Sequence, residues 1–125
     1  MIFGVGTDIV AVARLGNLYA RHGERALGKL LAPAERADFA HAADAGRFLA
    51  KRFAAKEALG KALGIGVAPP ATLGNSAVTH DELGKPVFAF APALADYLAE
   101  RGLTAHLSIS DEQDFALAFV VIERA

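Results

Sequence analysis

One stretch governs what this chain can become. From Gly46 to Leu63 it runs through Ala, Leu, Lys, Glu, Arg and Phe with hardly a helix breaker, and Gly64 and Gly66 close it. Those residue types favour helix, and glycine just past the last turn accepts the left-handed conformation that ends one. The spacing predicts a helix of about five turns, whose stability must come from packing one or more faces on a partner. Because alanine supplies so much of its surface, the partner must approach closely.

The first segment reads as a strand. Phe3 to Val10 alternates Phe3, Val5, Thr7 and Ile9 on one side with Gly4, Gly6, Asp8 and Val10 on the other. Helical patterns follow over Val12–His22, Glu24–Leu31 and Pro33–Ala43, with Gly23 as a stop or kink. Two hairpins are expected in the second half. One pairs Ser76–His80 with Pro86–Phe90, and the other pairs Ala105–Ser110 with Phe115–Glu123; a short helix over Ala91–Gly102 lies between them. Phe115–Glu123 is apolar on both faces, as a central or interface strand would be. The pattern predicts a single α+β domain over residues 1–125, a mainly antiparallel sheet packed against the long central helix.

Composition removes several function classes. A chain of 125 residues with no cysteine has neither disulfides nor a thiolate metal site, and cytoplasm is the expected compartment. The first ten residues carry no signal-like basic and apolar pattern, and no apolar run reaches membrane-spanning length. A formal net charge of -1 argues against a broad nucleic-acid surface.

Four groups of residues are candidates for chemistry. Asp8 is a carboxylate in an apolar strand, costly there unless paired, hydrogen-bonded or bound to a metal; Arg14 is one possible partner. On the long helix Arg47, Ala50, Ala54, Glu57 and Lys61 share a stripe opposite Phe48, Ala55, Leu59, Ala62 and Leu63. Glu57 and Lys61 then form either a surface pair worth roughly 0.2–0.5 kcal/mol or a carboxylate and an amine above two alanines small enough to leave room for a ligand. Arg52 and Lys56, four residues apart, either face an anion such as phosphate or extend into solvent. Finally, Arg14, Leu18, Arg21 and Arg25 line up if the helix continues through Gly23, while His106, Ser108 and Ser110 share one strand face. No nucleophile elbow, Walker loop or zinc-binding His pair is present.

Three blocks in order carry a more specific message: Gly4-Val5-Gly6-Thr7-Asp8-Ile9-Val10; Arg52-Phe53-Ala54-Ala55-Lys56-Glu57-Ala58 with Lys61-Ala62-Leu63-Gly64; and Ser108-Ile109-Ser110, joined by Gly84-Lys85-Pro86. Together they span almost the whole chain and resemble the holo-acyl-carrier-protein synthases of the phosphopantetheinyl transferase superfamily. The resemblance implies transfer of 4'-phosphopantetheine from coenzyme A to a serine of apo acyl carrier protein. It implies Asp8 and Glu57 as Mg2+ ligands, with Lys61 acting beside Glu57 at the phosphates or in proton transfer. Arg52, Lys56, Lys61, Gly64, Pro86, His106 and Ser110 would line the coenzyme A site, while Arg14, Arg21 and Arg25 would receive the acidic carrier. A homotrimer with active sites at subunit interfaces is implied as well. The family pattern leads one to expect histidine and then glutamate after Ser110, but Asp111 precedes Glu112 here. The base therefore stays open among Asp111, a metal-bound water and His106.

Overall fold

A computed structural model describes residues 1–125. The alternating first segment forms β1 (Ile2–Ala11), followed by α1 (Val12–His22) and α2 (Glu24–Leu30). After a short 3-10 turn at Pro33–Glu35 come α3 (Arg36–Ala40) and α4 (Ala45–Leu63). A second 3-10 turn at Leu73–Asn75 leads to β2 (Ser76–His80), β3 (Pro86–Phe90), α5 (Pro92–Glu100), β4 (Leu103–Asp111) and β5 (Phe115–Arg124).

The strands make two antiparallel sheets rather than one: β1-β5-β4, with β5 in the middle, and the separate pair β2-β3. The central place of β5 explains its apolar character on the helix side, where Ala116, Ala118, Val120 and Ile122 are fully buried. Across the sheet Asp8 stands opposite Ala118, which stands opposite Ile109. That register puts Asp8, with Gly4 and Gly6, on the face that α4 covers.

α4 begins at Asp44, whose Oδ1 accepts from the Arg47 amide at 3.0 Å, and ends at Gly64 with φ +83. Between these caps it is buried almost all round. Leu49, Ala50, Ala54, Ala55, Ala58 and Leu59 are at most 1% exposed. The expected division into an apolar stripe and an open stripe is therefore corrected. Ala50 and Ala54 leave no room for a ligand, because α4 packs on β1 and β5 and is crossed by α1. The closest approach is to β1, where a Cβ added at Gly4 or Gly6 would lie 2.1 Å from the carbonyl oxygen of Ala62 or Ala58. Glycine at those two positions lets strand and helix backbones touch.

Two other expectations change. α1 stops at Gly23, which adopts φ 52 and ψ -125, so Arg25 belongs to a separate helix. The segment predicted as one helix from Pro33 opens instead with the 3-10 turn. There Glu35 turns inward, and its Oε1 accepts from the Ala32 amide at 2.9 Å.

Candidate active site

Asp8 and Glu57 meet where β1 crosses α4. Lys61, one turn beyond Glu57, reaches back over Gly6, and its Nζ donates to Asp8 Oδ1 at 3.2 Å and to the Thr7 carbonyl at 2.8 Å. The second carboxylate oxygen of Asp8, Oδ2, is buried with no hydrogen-bond partner. Glu57 is held above its ordinary carboxylate pKa, first by desolvation and then by the negative charge of Asp8, against the pull of Lys61 and Arg14. Arg14 comes from α1, its guanidinium 5.3 Å from the centre of the Phe53 ring.

This arrangement lacks positive charge at one point. An unsatisfied buried acceptor costs about 1–3 kcal/mol, more when it is charged, and two neighbouring carboxylates repel. A hard cation between Asp8 Oδ2 and Glu57 would relieve both penalties. Nowhere in the chain do three or more His, Asp or Glu side chains cluster as a metal cage. Asp8 and Glu57 alone would offer two carboxylates, which would suit an ion that fills its remaining positions from phosphate and water. The sequence alternatives of Arg14 pairing with Asp8, or of Glu57 pairing only with Lys61, give way to a Lys61–Asp8 bond with Glu57 left over.

Arg52 and Lys56 lie elsewhere. Neither extends freely into solvent, because both turn inward onto Glu35, although Arg52 also borders an open pocket with Arg47 and Lys51. Lys56 Nζ donates to Glu35 Oε1 at 2.6 Å, the Leu30 carbonyl at 2.9 Å and the Leu73 carbonyl at 2.8 Å. Arg52 Nε lies 3.3 Å from Glu35 Oε2, and its guanidinium covers the Phe48 ring at 3.7 Å. Burial lowers the pKa of both cations, opposed by the charge of Glu35. Sequence reasoning missed Glu35 altogether; the only signal was a lone carboxylate after the apolar run Leu30-Leu31-Ala32.

His106 and Ser110 sit on the other face of the sheet from Asp8, level with Val121 and Leu117. His106 Nε2 is 2.9 Å from Glu123 Oε1. Gly64 caps α4, and Pro86 pairs with His80 at the start of β3. Asp111, one of the open choices for the base, is already engaged. Arg47 Nη1 contacts its Oδ2 at 2.9 Å, Lys51 lies 3.9 Å from its Oδ1, and Arg47 also bonds the Glu112 and Gln113 carbonyls. Arg21 ends α1 and Arg25 lies on α2. Leu18, His22, Arg25, Ala26, Lys29, Leu30 and Leu73 wall a cavity of about 220 Å³ between these helices.

The sequence and fold have clear relatives. Residues 4–120 match the model of the 4'-phosphopantetheinyl transferase superfamily. The chain belongs to that superfamily. It is 63% identical to the holo-[acyl-carrier-protein] synthase of Dechloromonas aromatica across the full length of both. The crystal structure of the Neisseria meningitidis holo-[acyl-carrier-protein] synthase superposes with a TM-score of 0.95 at 46% identity, covering 99% of this chain and 100% of that one. The Bacillus anthracis synthase, in complex with CoA (3',5'-ADP), superposes at 0.84 with 31% identity, covering 100% of this chain and 99% of that one.

Proposed function

We propose that this chain is a holo-acyl-carrier-protein synthase, moving 4'-phosphopantetheine from coenzyme A to a serine of apo acyl carrier protein with Mg2+ held by Asp8 and Glu57. The observation that carries the reading is the unpartnered Asp8 Oδ2 beside a desolvated Glu57, with Lys61 bonded to the opposite oxygen. The Neisseria meningitidis and Dechloromonas aromatica relatives support the reaction class, and the CoA complex of the Bacillus anthracis relative supports the donor.

In this reaction the carrier serine hydroxyl gives up its proton to a base or to water, and its oxygen attacks the β-phosphate of coenzyme A. The bond from phosphorus to the bridging oxygen breaks, and adenosine 3',5'-bisphosphate leaves. Mg2+, when bound, supplies a hard Lewis acid that withdraws charge from the phosphate oxygens. Lys61 holds Asp8 in place through Oδ1, leaving Oδ2 free, and brings an ammonium to the mouth of the site where anionic oxygens gather. Arg14 adds a second cation on the α1 side, within electrostatic reach of Glu57.

The carrier docks on α1 and α2. Arg14, Arg21, Arg25 and Lys29 form no salt bridge within the chain, and the cavity beside Arg25 has an apolar floor of Leu18, Ala26 and Leu30. Unpaired cations around an apolar recess suit an acidic amphipathic surface. The outer sheet face, with Phe3, Val5, Ile9, Phe115, Leu117 and Phe119 exposed, suits burial against further copies. A homotrimer with active sites at subunit interfaces is the assembly that likeness to the family implies. Fatty acid synthesis in the cytoplasm is the setting that fits this activity.

The test is intact mass spectrometry of an apo acyl carrier protein incubated with the chain, coenzyme A and Mg2+, beside a chelator arm. A metal-dependent gain of one phosphopantetheine arm is expected. No gain on any of several carriers would overturn the reading.

A further inference from the structure

The close contact between β1 and α4 is smooth. Gly4 and Gly6 lie against the backbones of Ala62 and Ala58, and the neighbouring helix positions Ala54 and Ala55 are also alanine. At this contact strand and helix are held close without interlocking side chains, so it leaves the rotation of α4 to its other contacts. That rotation decides whether Glu57 faces Asp8.

Directional contacts fix what smooth packing leaves loose; on α4 Arg47 reaches the β4–β5 turn and Lys61 reaches β1 from more exposed positions, while Lys56 makes its contacts from a buried one. Its side chain is 1% exposed, and its ammonium spends all three protons on Glu35 Oε1, the Leu30 carbonyl and the Leu73 carbonyl. Glu35 is equally buried and is itself held by the amides of Ala32 and Val78. One ammonium thus ties α4 to the end of α2, the 3-10 turn after it, the 3-10 turn before β2, and β2 itself. Successive helix residues are about 100° apart around the axis, so fixing the direction of Lys56 fixes that of Glu57. Buried ion pairs are poor sources of net stability, and their best-attested use is to select one arrangement among several.

We propose that Lys56 is a positioning residue for the transfer reaction, its ammonium setting the rotation of α4 at which Glu57 faces Asp8. This rests on the function proposed above.

Lys56→Met keeps the length of the side chain and leaves Glu35 and Arg52 as a balanced pair, so the core retains neutrality while the tie to both carbonyls is lost. Three readouts are taken on the full chain: the rate of carrier modification against Mg2+ concentration, direct Mn2+ binding by electron paramagnetic resonance, and thermal unfolding. Leu103→Ala is the stability control. Leu103 is buried in the core but lies six residues along β4 from Ile109, which stands level with Asp8.

Lys56→Met is expected to lower kcat at least tenfold and weaken Mn2+ binding several-fold at temperatures where it is fully folded. Leu103→Ala should lower Tm as much or more, yet keep both quantities within about twofold. If Lys56→Met does not fold, Lys56→Arg serves. It keeps the charge on Glu35, but a planar fork cannot direct one point donor at three acceptors, and the same weakening of Mn2+ binding is expected. Unchanged kcat and Mn2+ affinity in the variant that folds, or an equal loss in Leu103→Ala, would overturn the proposal. A parent chain that binds Mn2+ without modifying any carrier would instead sink the function, while the Mn2+ comparison would still judge Lys56.

Discussion

Replacing Gly6 with alanine tests how closely the site depends on the contact of β1 with α4. The new Cβ would fall 2.1 Å from the Ala58 carbonyl oxygen, 2.7 Å from the Ala62 nitrogen and 3.0 Å from Lys61 Cβ. A carbon and a carbonyl oxygen rest comfortably at about 3.3 Å, so strand and helix must part by roughly 1.2 Å at this point. Two of the three obstacles are backbone and cannot rotate aside. Overpacking costs about 1–3 kcal/mol, here near the upper end. Alanine recovers about 0.4–1 kcal/mol by restricting the unfolded chain. A net loss of roughly 2–3 kcal/mol is expected, which for a domain of this size lowers Tm by roughly 10 °C. Gly6 is two residues from Asp8 on the same face, so the displacement falls on the gap between Asp8 and Glu57. A misplacement near 1 Å costs on the order of 10²-fold in rate. Gly4→Ala provides the comparison, because its Cβ would lie equally close, 2.1 Å, to the Ala62 oxygen, but about 13 Å from Asp8 along the strand. Thermal melts and carrier modification by mass spectrometry, read at a temperature where both variants are folded, should show similar Tm losses and a much larger rate loss in Gly6→Ala. Equal rate losses would refute the geometric reasoning, and a Gly6→Ala protein with parental Tm and rate would refute the packing argument itself.

The remaining expectations concern the charges and the outer face. Glu57 has a folded pKa raised above its ordinary 4.5, mainly by desolvation. Between the two values the folded state binds more protons, so stability falls as pH rises through that window. In metal-free buffer Glu57→Gln should therefore melt above the parent, by a margin that grows upward from about pH 4.5 and then levels off, while transfer is lost. A melt below the parent at neutral pH would contradict the desolvation. Arg21→Glu should weaken carrier binding, measured by titration calorimetry, and leave coenzyme A binding unchanged; equal carrier affinity would remove α1 as the docking surface. If the proposed trimer closes on the exposed outer face, Phe119→Glu should turn it to monomers in sedimentation velocity, and an unchanged sedimentation coefficient would remove that face as the interface.

Most of the element boundaries were legible because each carried its own local chemistry. The glycine after α4, the period of two in β1 and the short hairpin turns needed no knowledge of distant residues. The alternation also put Asp8 on one face with Gly4 and Gly6. The helix predicted from Pro33 is present as α3 over Arg36–Ala40, but its first turn is 3-10 and carries Glu35 inward to partners at Lys56, Arg52 and Val78 that are far away in sequence. For Arg52 and Lys56 the anion of the two open readings is the one found, but it is the Glu35 carboxylate of another element, which spacing along one helix cannot show. Two cations four residues apart look like a repelling surface pair until a buried carboxylate from another element comes between them. α4 was expected to keep one open side, since helical periodicity shows where apolar residues cluster but alanine is ambiguous, equally suited to a tight interface and to open space.

The sequence by itself determined the superfamily, the α+β class, the strand that bears Asp8 and the helix that bears Glu57 and Lys61, because these depend on residue type and spacing along the chain. Only the tertiary structure decided that Lys61 bonds one oxygen of Asp8 and leaves the other bare. It also decided that Lys56 is an internal tie and that His106 and Ser110 face away from Asp8 across the sheet. Those outcomes depend on distances between segments that lie dozens of residues apart, and such distances are set by how the backbones pack.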